Sequence, residues 1–473
     1  MSRFLGRPAP DEVPALVILT MTFALTFAVS YGLGSALSAF VPWRVPLALP
    51  LDDALPFWPG AAAVYLTIMP VLMLSPFVLR DLPALLPLFA ALMLETTIAF
   101  VFFLLLPADA PVITGRESPL AGWLFHAADT LNLDRNYLPS LHVAFAFTVA
   151  AAFAARAGRI GAAAWYVWAI AVALSTLLTR QHYVIDVIAG MVLALLCWRL
   201  AAQWARRPDV ISAVDADLLC LRNFGRFSRR HRRYLAISLL VIATGIPQWR
   251  RARLARVGFA FLQSIDDLLD GDRASEREPL EVADEMIASL ESGRFARHEL
   301  ARLGACFRAG LLARGGEAVV STAIALVRAM RRDRERVLGG EVLDRDALRE
   351  QHRATFAPSI DLLMLAADSP LRAHELPELV DAFGWCSTVR DLDEDLRHRL
   401  VNVPLDVYQA GMAQRPSTML DLPKTQPVKD WLAAERTRAA RLLDRSDERL
   451  RALGEARGAR LLRRFARSMR LYL

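Results

Sequence analysis

The chain contains little lysine and few cysteines. Only two of its 56 basic residues are lysines, Lys424 and Lys429, so arginine carries nearly all of the positive charge. The four cysteines are Cys197, Cys220, Cys306 and Cys386. None forms a Cys-x-x-Cys pair, so the sequence indicates neither a disulfide framework nor a zinc site. The net charge of +7 is spread along the chain without interleaved aromatic residues, and we do not expect nucleic-acid binding.

Charge is scarce in the first part of the chain. Hydrophobic residues make up 55% of the sequence and charged residues 22%, but the two classes are unevenly distributed. The first ~200 residues are nearly free of charge when read in windows of transmembrane length, whereas the remainder is rich in Arg, Asp and Glu. We therefore predict two domains, residues 1–207 and 208–473, joined by a linker near residues 206–215.

The first domain contains six apolar stretches. They cover residues 13–41, 57–79, 83–106, 141–155, 160–179 and 184–204. Most of them reach the ~20 residues that a helix needs to cross a bilayer. The first is too long for a cleaved signal peptide, and we interpret it as a retained span. We expect an integral membrane protein with a six-helix transmembrane bundle and both termini on one side.

Arginines in the connections indicate which side that is. One set of connections holds Arg3, Arg7, Arg80, Arg156, Arg159, Arg206 and Arg207. By the positive-inside rule these segments are cytoplasmic. The second domain would then lie in the cytoplasm. The connection 107–140 would lie on the outer face of what we expect to be a bacterial inner membrane.

Two histidines lie at polar interruptions of the apolar part. His142 begins the fourth stretch, and His182 precedes the sixth. His182 and Asp186 are four residues apart, so on a helix the carboxylate can hold the imidazole in one tautomer. We interpret His182 as a candidate nucleophile and His142 as a candidate general acid for a leaving oxygen.

Three further residues are candidates for binding phosphate oxygens, namely Ser140, Arg180 and Arg116. The alternative is that the histidines are interfacial residues without a catalytic role. Ionisable groups at membrane depth are costly and are usually functional.

The two polar interruptions together resemble a known family. The segment PSLH at 139–142 resembles the P-S-x-H motif of the PAP2 superfamily, the type 2 phosphatidic acid phosphatases. The segment HYVID at 182–186, followed by Gly190, resembles its H-x-x-x-D motif. The resemblance covers roughly residues 10–205. It implies a phosphohistidine on His182, Asp186 as its orienting partner, His142 as the acid, and no metal cofactor.

The first domain departs from the phosphatase pattern at two points. Thr176 occupies the position where the phosphatases carry arginine, and this half of the chain has no lysine. The arrangement of Thr179 before His182 is more similar to the sphingolipid phosphotransferase branch, such as inositol phosphorylceramide synthases. Hydrolysis of a lipid phosphate and transfer of a head group therefore both stay open, with water the preferred acceptor.

The second domain shows helical periodicity and almost no alternation of period two, so we predict an all-α fold. It contains two acidic clusters. Asp266, Asp267 and Asp270 lie within about one helical turn, and Asp391 and Asp395 are four residues apart. Carboxylates at this density indicate a hard cation such as Mg²⁺. The alternative for the second cluster is a solvated acidic helix face.

These clusters resemble a second family. The segments FAFLQSIDDLLDG at 259–271 and VRDLDEDLRHRLVNVP at 389–404 resemble the two aspartate-rich motifs of the squalene/phytoene synthases, which are all-α isoprenoid synthases. The resemblance covers roughly residues 215–473. It implies a prenyl diphosphate substrate, with Mg²⁺ bound by Asp266, Asp270, Asp391 and Asp395. Arg253 and Arg390 are candidate ligands of the diphosphate.

The second domain departs from its family at Gly384 and Ser387, where the family usually has Gln and Asn. This favours cyclisation or 1–4 coupling over head-to-head condensation. We expect a bifunctional membrane enzyme that makes or rearranges a prenyl diphosphate and then dephosphorylates a lipid (di)phosphate. Two alternatives are a lipid head-group phosphotransferase with a prenyl-lipid-binding domain, and a non-enzymatic membrane anchor with a helical interaction module.

Overall fold

The computed structural model describes residues 4–108, 122–131, 136–230, 232–454 and 458–473. It divides into two compact units, Met1–Leu218 and Leu219–Leu473. The division falls inside the helix Pro208–Arg230, whose first residue is where the sequence places the start of the second domain. Apart from one bridge between Val45 and Ala108, the described residues contain no β-structure.

The first unit is built from helices of very different lengths. Its described α-helices are α1 (Val13–Ser38), α2 (Pro50–Ala54), α3 (Ala62–Tyr65), α4 (Ile68–Met73), α5 (Ser75–Val78), α6 (Leu82–Leu105), α7 (Gly122–Leu131), α8 (Leu141–Ala154), α9 (Arg159–Leu178), α10 (Val184–Ala205) and α11 (Pro208–Arg230), which crosses into the second unit. The pairs α1–α6, α6–α10, α8–α9 and α8–α10 pack against each other. They enclose a core of leucine, alanine and phenylalanine side chains.

Among the described residues, five helices are long and apolar enough to cross a membrane. Four belong to the first unit (α1, α6, α9 and α10), and the fifth is Glu299–Gly339 in the second unit. The chain is therefore an integral membrane protein. The predicted count of six spans is not confirmed. Stretch 57–79 forms the short helices α3 to α5 because prolines interrupt its backbone hydrogen bonds, and stretch 141–155 forms only the 14-residue α8.

The second unit consists of α-helices and short 3₁₀ turns. Its further α-helices are α12 (Arg232–Gly245), α13 (Arg253–Leu269), α14 (Pro279–Ser292), α15 (Glu299–Gly339), α16 (Arg345–Ala366), α17 (Pro377–Arg397), α18 (Leu405–Ala413), α19 (Gln426–Ala452) and α20 (Ala459–Met469). The 3₁₀ turns, including one in the first unit, are Pro59–Ala61, Ile246–Gln248, Ala373–Glu375, Met419–Lys424 and Arg470–Tyr472. An all-α fold is therefore confirmed for the described residues.

Prolines and glycines set several boundaries in this unit. Proline occupies the first turn of α14, α17 and α19, where its missing N–H costs no helical hydrogen bond. Helix α14 ends at Gly293, which adopts the left-handed conformation (φ 73°) that glycine tolerates best. Helix α15 is broken at Gly316, where φ is 69° and ψ is −162°. One core cluster is formed by α16, α17, α19 and α20.

A buried polar contact joins two helices in the apolar core of the first unit. Glu95 on α6 and Thr148 on α8 are both fully buried, and the Thr148 hydroxyl donates a hydrogen bond to Glu95 Oε1. The second carboxyl oxygen, Oε2, is buried without a hydrogen-bond partner among the described residues. Because an unpaired polar group in such an environment is costly, this contact fixes how α6 meets the helix that carries His142.

We predict that Thr148→Val lowers the stability of the first unit by about 1–3 kcal/mol, because it leaves the Glu95 carboxyl without its partner. The measurement is the thermal unfolding midpoint in detergent. The matched control is Thr97→Val on α6, since Thr97 is exposed and its hydroxyl bonds only to the Met93 carbonyl of its own helix. If the unfolding midpoint falls equally in Thr148→Val and Thr97→Val, the contact between Glu95 and Thr148 does not stabilise the packing of α6 against α8.

Candidate active sites

The starts of α8 and α10 meet and bring the two predicted histidines together. The backbone N–H of Ser140 donates to the carbonyl of Asp186 at 3.1 Å. The rings of His142 and His182 then lie with their centroids 6.1 Å apart. Both helices begin at these residues because each has an acceptor at its start. The Ser140 hydroxyl accepts from the Val143 N–H, and the Asp186 carboxylate accepts from the Tyr183 N–H.

This close approach depends on the absence of a side chain at Gly190. A Cβ atom at that position would lie 2.5 Å from the Ser140 carbonyl oxygen and 3.2 Å from the Val143 Cβ. Contacts this short require the backbone to move. Gly190 therefore keeps α10 against the start of α8, which sets the separation of the two imidazoles.

His182 is held by the carboxylate that the sequence indicated. Its Nδ1 lies 3.4 Å from Asp186 Oδ2, and both side chains are buried. The other ring nitrogen, Nε2, is buried without a hydrogen-bond partner among the described residues. With Nδ1–H donating to the carboxylate, the Nε2 lone pair is left available. This arrangement is that of a positioned nucleophile.

Sequence reasoning missed the partner of His142. The Tyr65 hydroxyl lies 3.2 Å from His142 Nδ1, and the two rings stack with centroids 4.4 Å apart. Tyr65 is fully buried although it carries a polar group. The available signal was a single tyrosine within the otherwise apolar stretch 57–79, because a buried tyrosine hydroxyl needs a hydrogen-bond partner.

The predicted phosphate-binding residues differ in their surroundings and in their contacts. Ser140 is fully buried and caps α8, next to His142. The Arg180 guanidinium donates to the Leu55 carbonyl at 2.8 Å, and its backbone adopts a positive φ of 52°. Arg116 lies outside the described residues. Thr176, at the position where the phosphatases carry arginine, uses its carbonyl to accept the N–H groups of Gln181 and His182.

An apolar cavity leads to the two histidines. It has a volume of about 300 Å³, and both His142 and His182 contribute to its lining. The rest of the lining comes mainly from apolar side chains of α1, α4, α6 and α8, including Phe23, Phe27 and Phe145. The polar groups thus lie in a cavity suited to an apolar chain.

The second unit brings four predicted carboxylates to one cavity. Asp266 and Asp270 on α13, and Asp391 and Asp395 on α17, line a space of about 340 Å³. Its apolar lining includes Ile237, Leu269, Met330, Val337 and Phe356. The cavity therefore offers carboxylate oxygens next to apolar side chains.

The remaining predicted residues of this unit lie in different places. Arg390 lines the cavity and pairs with the neighbouring Asp391 carboxylate. Asp267 is buried and accepts from the Gln263 amide at 2.9 Å, but it is not part of the lining. Arg253 begins α13, about 20 Å along the helix from Asp266. The structure does not bring Arg253 to the aspartates.

Sequence reasoning also missed a network of polar contacts that joins Asp333 of α15 to Asp395 of the second cluster. Asp333 on α15 lines the cavity and pairs with the buried Arg336 at 2.6 Å. Arg336 contacts Asn402 at 3.2 Å, and the Asn402 amide donates to Asp395 at 2.9 Å. Arg336 thus connects the α15 carboxylate to the second cluster. A lone Asp among the arginines of α15 gave no signal in the sequence.

Burial and mutual repulsion raise the pKa values of these carboxyls. Burial raises the pKa of Asp270 to about 7, and the charges of Asp395 and Asp333 add to the increase. Burial likewise raises the pKa of Asp395 to about 7, although its hydrogen bond from Asn402 opposes the change. The pKa of Asp266 is also well above its ordinary value, first through burial and then through Asp270 and Asp267. A cation would relieve this repulsion.

In the part of the chain that the structure describes, no three His, Cys, Asp or Glu side chains are grouped closely enough to form a metal site by themselves. The donors on α13 and α17 are nevertheless all carboxylate oxygens that face one cavity. Oxygen donors of this kind fit Mg²⁺, which usually keeps several waters and takes only one or two carboxylates in addition to substrate phosphates.

The two positions at which the second unit departs from the squalene/phytoene synthases have different neighbours. At Gly384 a Cβ atom would lie 2.8 Å from the His352 Cβ, so the glycine makes room for this side chain. His352 lines the cavity, and its Nε2 lies 3.2 Å from the Thr388 hydroxyl. Ser387 instead contacts the Asp391 carboxylate at 3.4 Å.

Comparison with known proteins gives a family match for part of the first unit. The PAP2 superfamily matches residues 62–209, a range that includes both histidines, Asp186 and Tyr65. The chain contains a PAP2 domain. Neither the curated proteins nor the solved structures include a significant match. The PAP2 resemblance is thus confirmed over 62–209, and the candidate site on α3, α8 and α10 lies within this range.

A PAP2 domain at residues 62–209 suggests a phosphatase or phosphotransferase type of function on lipid phosphates. The geometry agrees with this class of reaction, since His142 and His182 both line an apolar cavity. The second unit lies almost wholly outside the matched residues. Its resemblance to isoprenoid synthases has no support from the comparisons.

We predict that Tyr65→Phe lowers kcat for phosphate release by roughly fivefold, the loss expected from a hydrogen bond of about 1 kcal/mol. The ring stack on His142 is retained, so KM should change little. The measurement is steady-state kinetics with a lipid phosphate in detergent micelles. Tyr166→Phe is the control, because Tyr166 is exposed on α9. An unchanged kcat in Tyr65→Phe would contradict a role for this hydroxyl.

Proposed function

We propose that the PAP2 domain hydrolyses the phosphate ester of a membrane lipid through a phosphohistidine on His182. The observation that carries the proposal is the environment of this imidazole, with Nδ1 at Asp186 and Nε2 buried without a partner among the described residues. The Nε2 lone pair would attack phosphorus while the bond to the lipid oxygen breaks. His142 would give its proton to that oxygen, which leaves as an alcohol.

The second half of the reaction uses the same residues in reverse roles. A water molecule would lose a proton to His142 and attack the phosphorus, which restores His182 and releases phosphate. Tyr65 would hold the His142 ring in place during both steps. These two reaction steps need no metal, because the His182 imidazole supplies the nucleophile.

The apolar cavity supports a lipid as the substrate. Its lining is mainly apolar and includes His142 and His182. A hydrocarbon chain in this cavity would place its phosphate at the histidines, and burial of the chain would contribute most of the binding free energy.

For the second unit we propose Mg²⁺-dependent chemistry on a prenyl diphosphate. The support comes from Asp266 and Asp270 on one helix and Asp391 and Asp395 on another, which share one cavity with apolar side chains. These four residues would hold the metal, and Arg390 could contact the diphosphate. Bound Mg²⁺ would supply charge neutralisation for the diphosphate. The apolar side chains that line the cavity, including Met330, Val337 and Phe356, would enclose the prenyl chain and exclude water.

Both units would then act on isoprenoid lipids. The second unit would make or rearrange a prenyl diphosphate. The PAP2 domain would then remove its two phosphoryl groups in two successive turnovers, each through His182 and then water, which gives the monophosphate first and then an alcohol and a second phosphate. With the sidedness that the arginines predict, the intermediate would have to cross the bilayer between the two sites.

A second candidate for the PAP2 domain is head-group transfer. The segment 179–186 favours head-group transfer, because its Thr-x-x-His-Tyr-x-x-Asp pattern is more similar to the phosphotransferase branch. The acceptor decides between the two candidates. Release of inorganic phosphate indicates hydrolysis, whereas appearance of a labelled head group on a second lipid indicates transfer.

The proposal predicts opposite effects for two variants when the purified protein receives Mg²⁺ and farnesyl or geranylgeranyl diphosphate. His182→Ala should accumulate a new diphosphate, because only the second unit remains active. Asp266→Ala should give only the alcohol of the unaltered substrate. Phosphate release and lipid products are measured together.

His298→Ala serves as the control, since this histidine lies on the surface of the second unit and pairs with Glu285. It should leave the products unchanged. If neither His182→Ala nor Asp266→Ala alters the products, both assignments are wrong, and the role of a membrane anchor with an interaction module is favoured.

A further inference from the structure

Helix α12 has an outer face that is apolar although it is exposed. The large exposed side chains are Leu235 (44%), Leu239 (56%), Leu240 (62%) and, just beyond the helix, Ile246 (65%). Ala236 and Ala243 lie on the same side and are also exposed. With about 100° between successive residues, these positions share an arc of roughly 140°. We call this set the α12 outer face.

The opposite side of the same helix faces the protein. Ser238 is buried, and Ile237, Val241 and Ile242 are half-buried. A helix at a protein–water boundary normally reverses this distribution, with polar residues outside. A contiguous apolar patch of this kind marks an interaction site and is rarely left in water.

The charge around the α12 outer face is positive. Between Asp217 and Asp266 the sequence contains ten arginines and no acidic residue. They precede and follow the apolar segment, but Arg222 and Arg226 pair with Glu299 and Arg256 is buried. Arg229, Arg250 and Arg251 are exposed. This arrangement is complementary to an apolar surface bordered by anions.

The inner side of α12 belongs to the acidic cavity. Ile237 lines it, together with Leu269 and Asp266 of the neighbouring α13. One helix thus separates the cavity from the α12 outer face. A bilayer lying on that face would be one helix diameter, about 10 Å, from the cavity.

We propose that the α12 outer face docks onto a lipid bilayer with anionic head groups. The leucines would insert below the head groups by about 5–10 Å, as interfacial helices do. The exposed Arg229, Arg250 and Arg251 would contact lipid phosphates. The chain also contains helices long and apolar enough to span a membrane, so a bilayer is the expected surroundings of the protein.

This docking does not depend on what the cavity binds. If the cavity takes a prenyl diphosphate, as proposed above, docking would let the apolar chain pass between bilayer and cavity without crossing water. That consequence rests on the proposed function, whereas the docking itself is measured without any substrate.

The test uses the full-length protein in lipid nanodiscs with a fluorescent label at position 239. Cys306 is replaced by serine because it is only half-buried, while the other three cysteines are buried. The variant Leu239→Cys is labelled with bimane in nanodiscs of 3:1 phosphatidylcholine and phosphatidylglycerol. We expect a blue-shifted emission that brominated lipids quench and aqueous iodide does not.

Leu420→Cys is the matched control, because Leu420 is exposed (39%) in the same unit but lies far from α12 in the sequence. Its label should be quenched by iodide. Arg250→Gln combined with Arg251→Gln should reduce the quenching by brominated lipid at position 239. The reduction should be greater in the anionic nanodiscs than in nanodiscs of phosphatidylcholine alone.

Two results would overturn the proposal. Quenching of the label at position 239 by iodide, but not by brominated lipid, would mean that the face lies in water. Protection from both quenchers would mean that a protein surface, such as a second copy of the chain, covers it. Neither result bears on the proposed reactions, which are measured by their products.

Discussion

The contact between the starts of α8 and α10 determines the geometry of the PAP2 site. A backbone hydrogen bond from Ser140 to Asp186 joins the two helices, and Gly190 allows them to approach. The same Asp186 holds His182 through its carboxylate. One residue therefore fixes both the position of α10 and the tautomer of His182. The proposed reaction needs both, because the Nε2 lone pair would have to face a phosphate while His142 lies beside it.

In the second unit the candidate site holds like charges close together, whereas the first site is held by hydrogen bonds. Its carboxylates are placed together against their mutual repulsion, and burial raises the pKa values of Asp270 and Asp395 to about 7. The Arg336 network, which reaches Asp395 through Asn402, keeps part of the arrangement in place. A bound cation would stabilise such a site, and protonation of the carboxylates would relieve their repulsion as the pH falls below neutrality. This behaviour distinguishes it from a solvated acidic surface.

The sequence predicted the helical class, the membrane domain and the two histidines, since these follow from hydropathy, periodicity and short motifs. It did not predict Tyr65, because one tyrosine in an apolar stretch carries no spacing signal and its partner is 77 residues away. Its count of six spans is not confirmed, because stretch 57–79 forms several short helices and stretch 141–155 forms one of 14 residues. It also assigned Arg253 to the aspartates, although that residue begins the helix whose far end carries them.

The central claim is that His182 carries the phosphoryl group. The direct measurement is mass spectrometry of peptides from protein that has been incubated with a lipid phosphate and quenched at alkaline pH, where phosphohistidine survives. The account predicts a phosphoryl group on His182 that is absent from His182→Ala, together with loss of phosphate release in that variant. Continued phosphate release by His182→Ala, or a phosphoryl group on another residue, would contradict it.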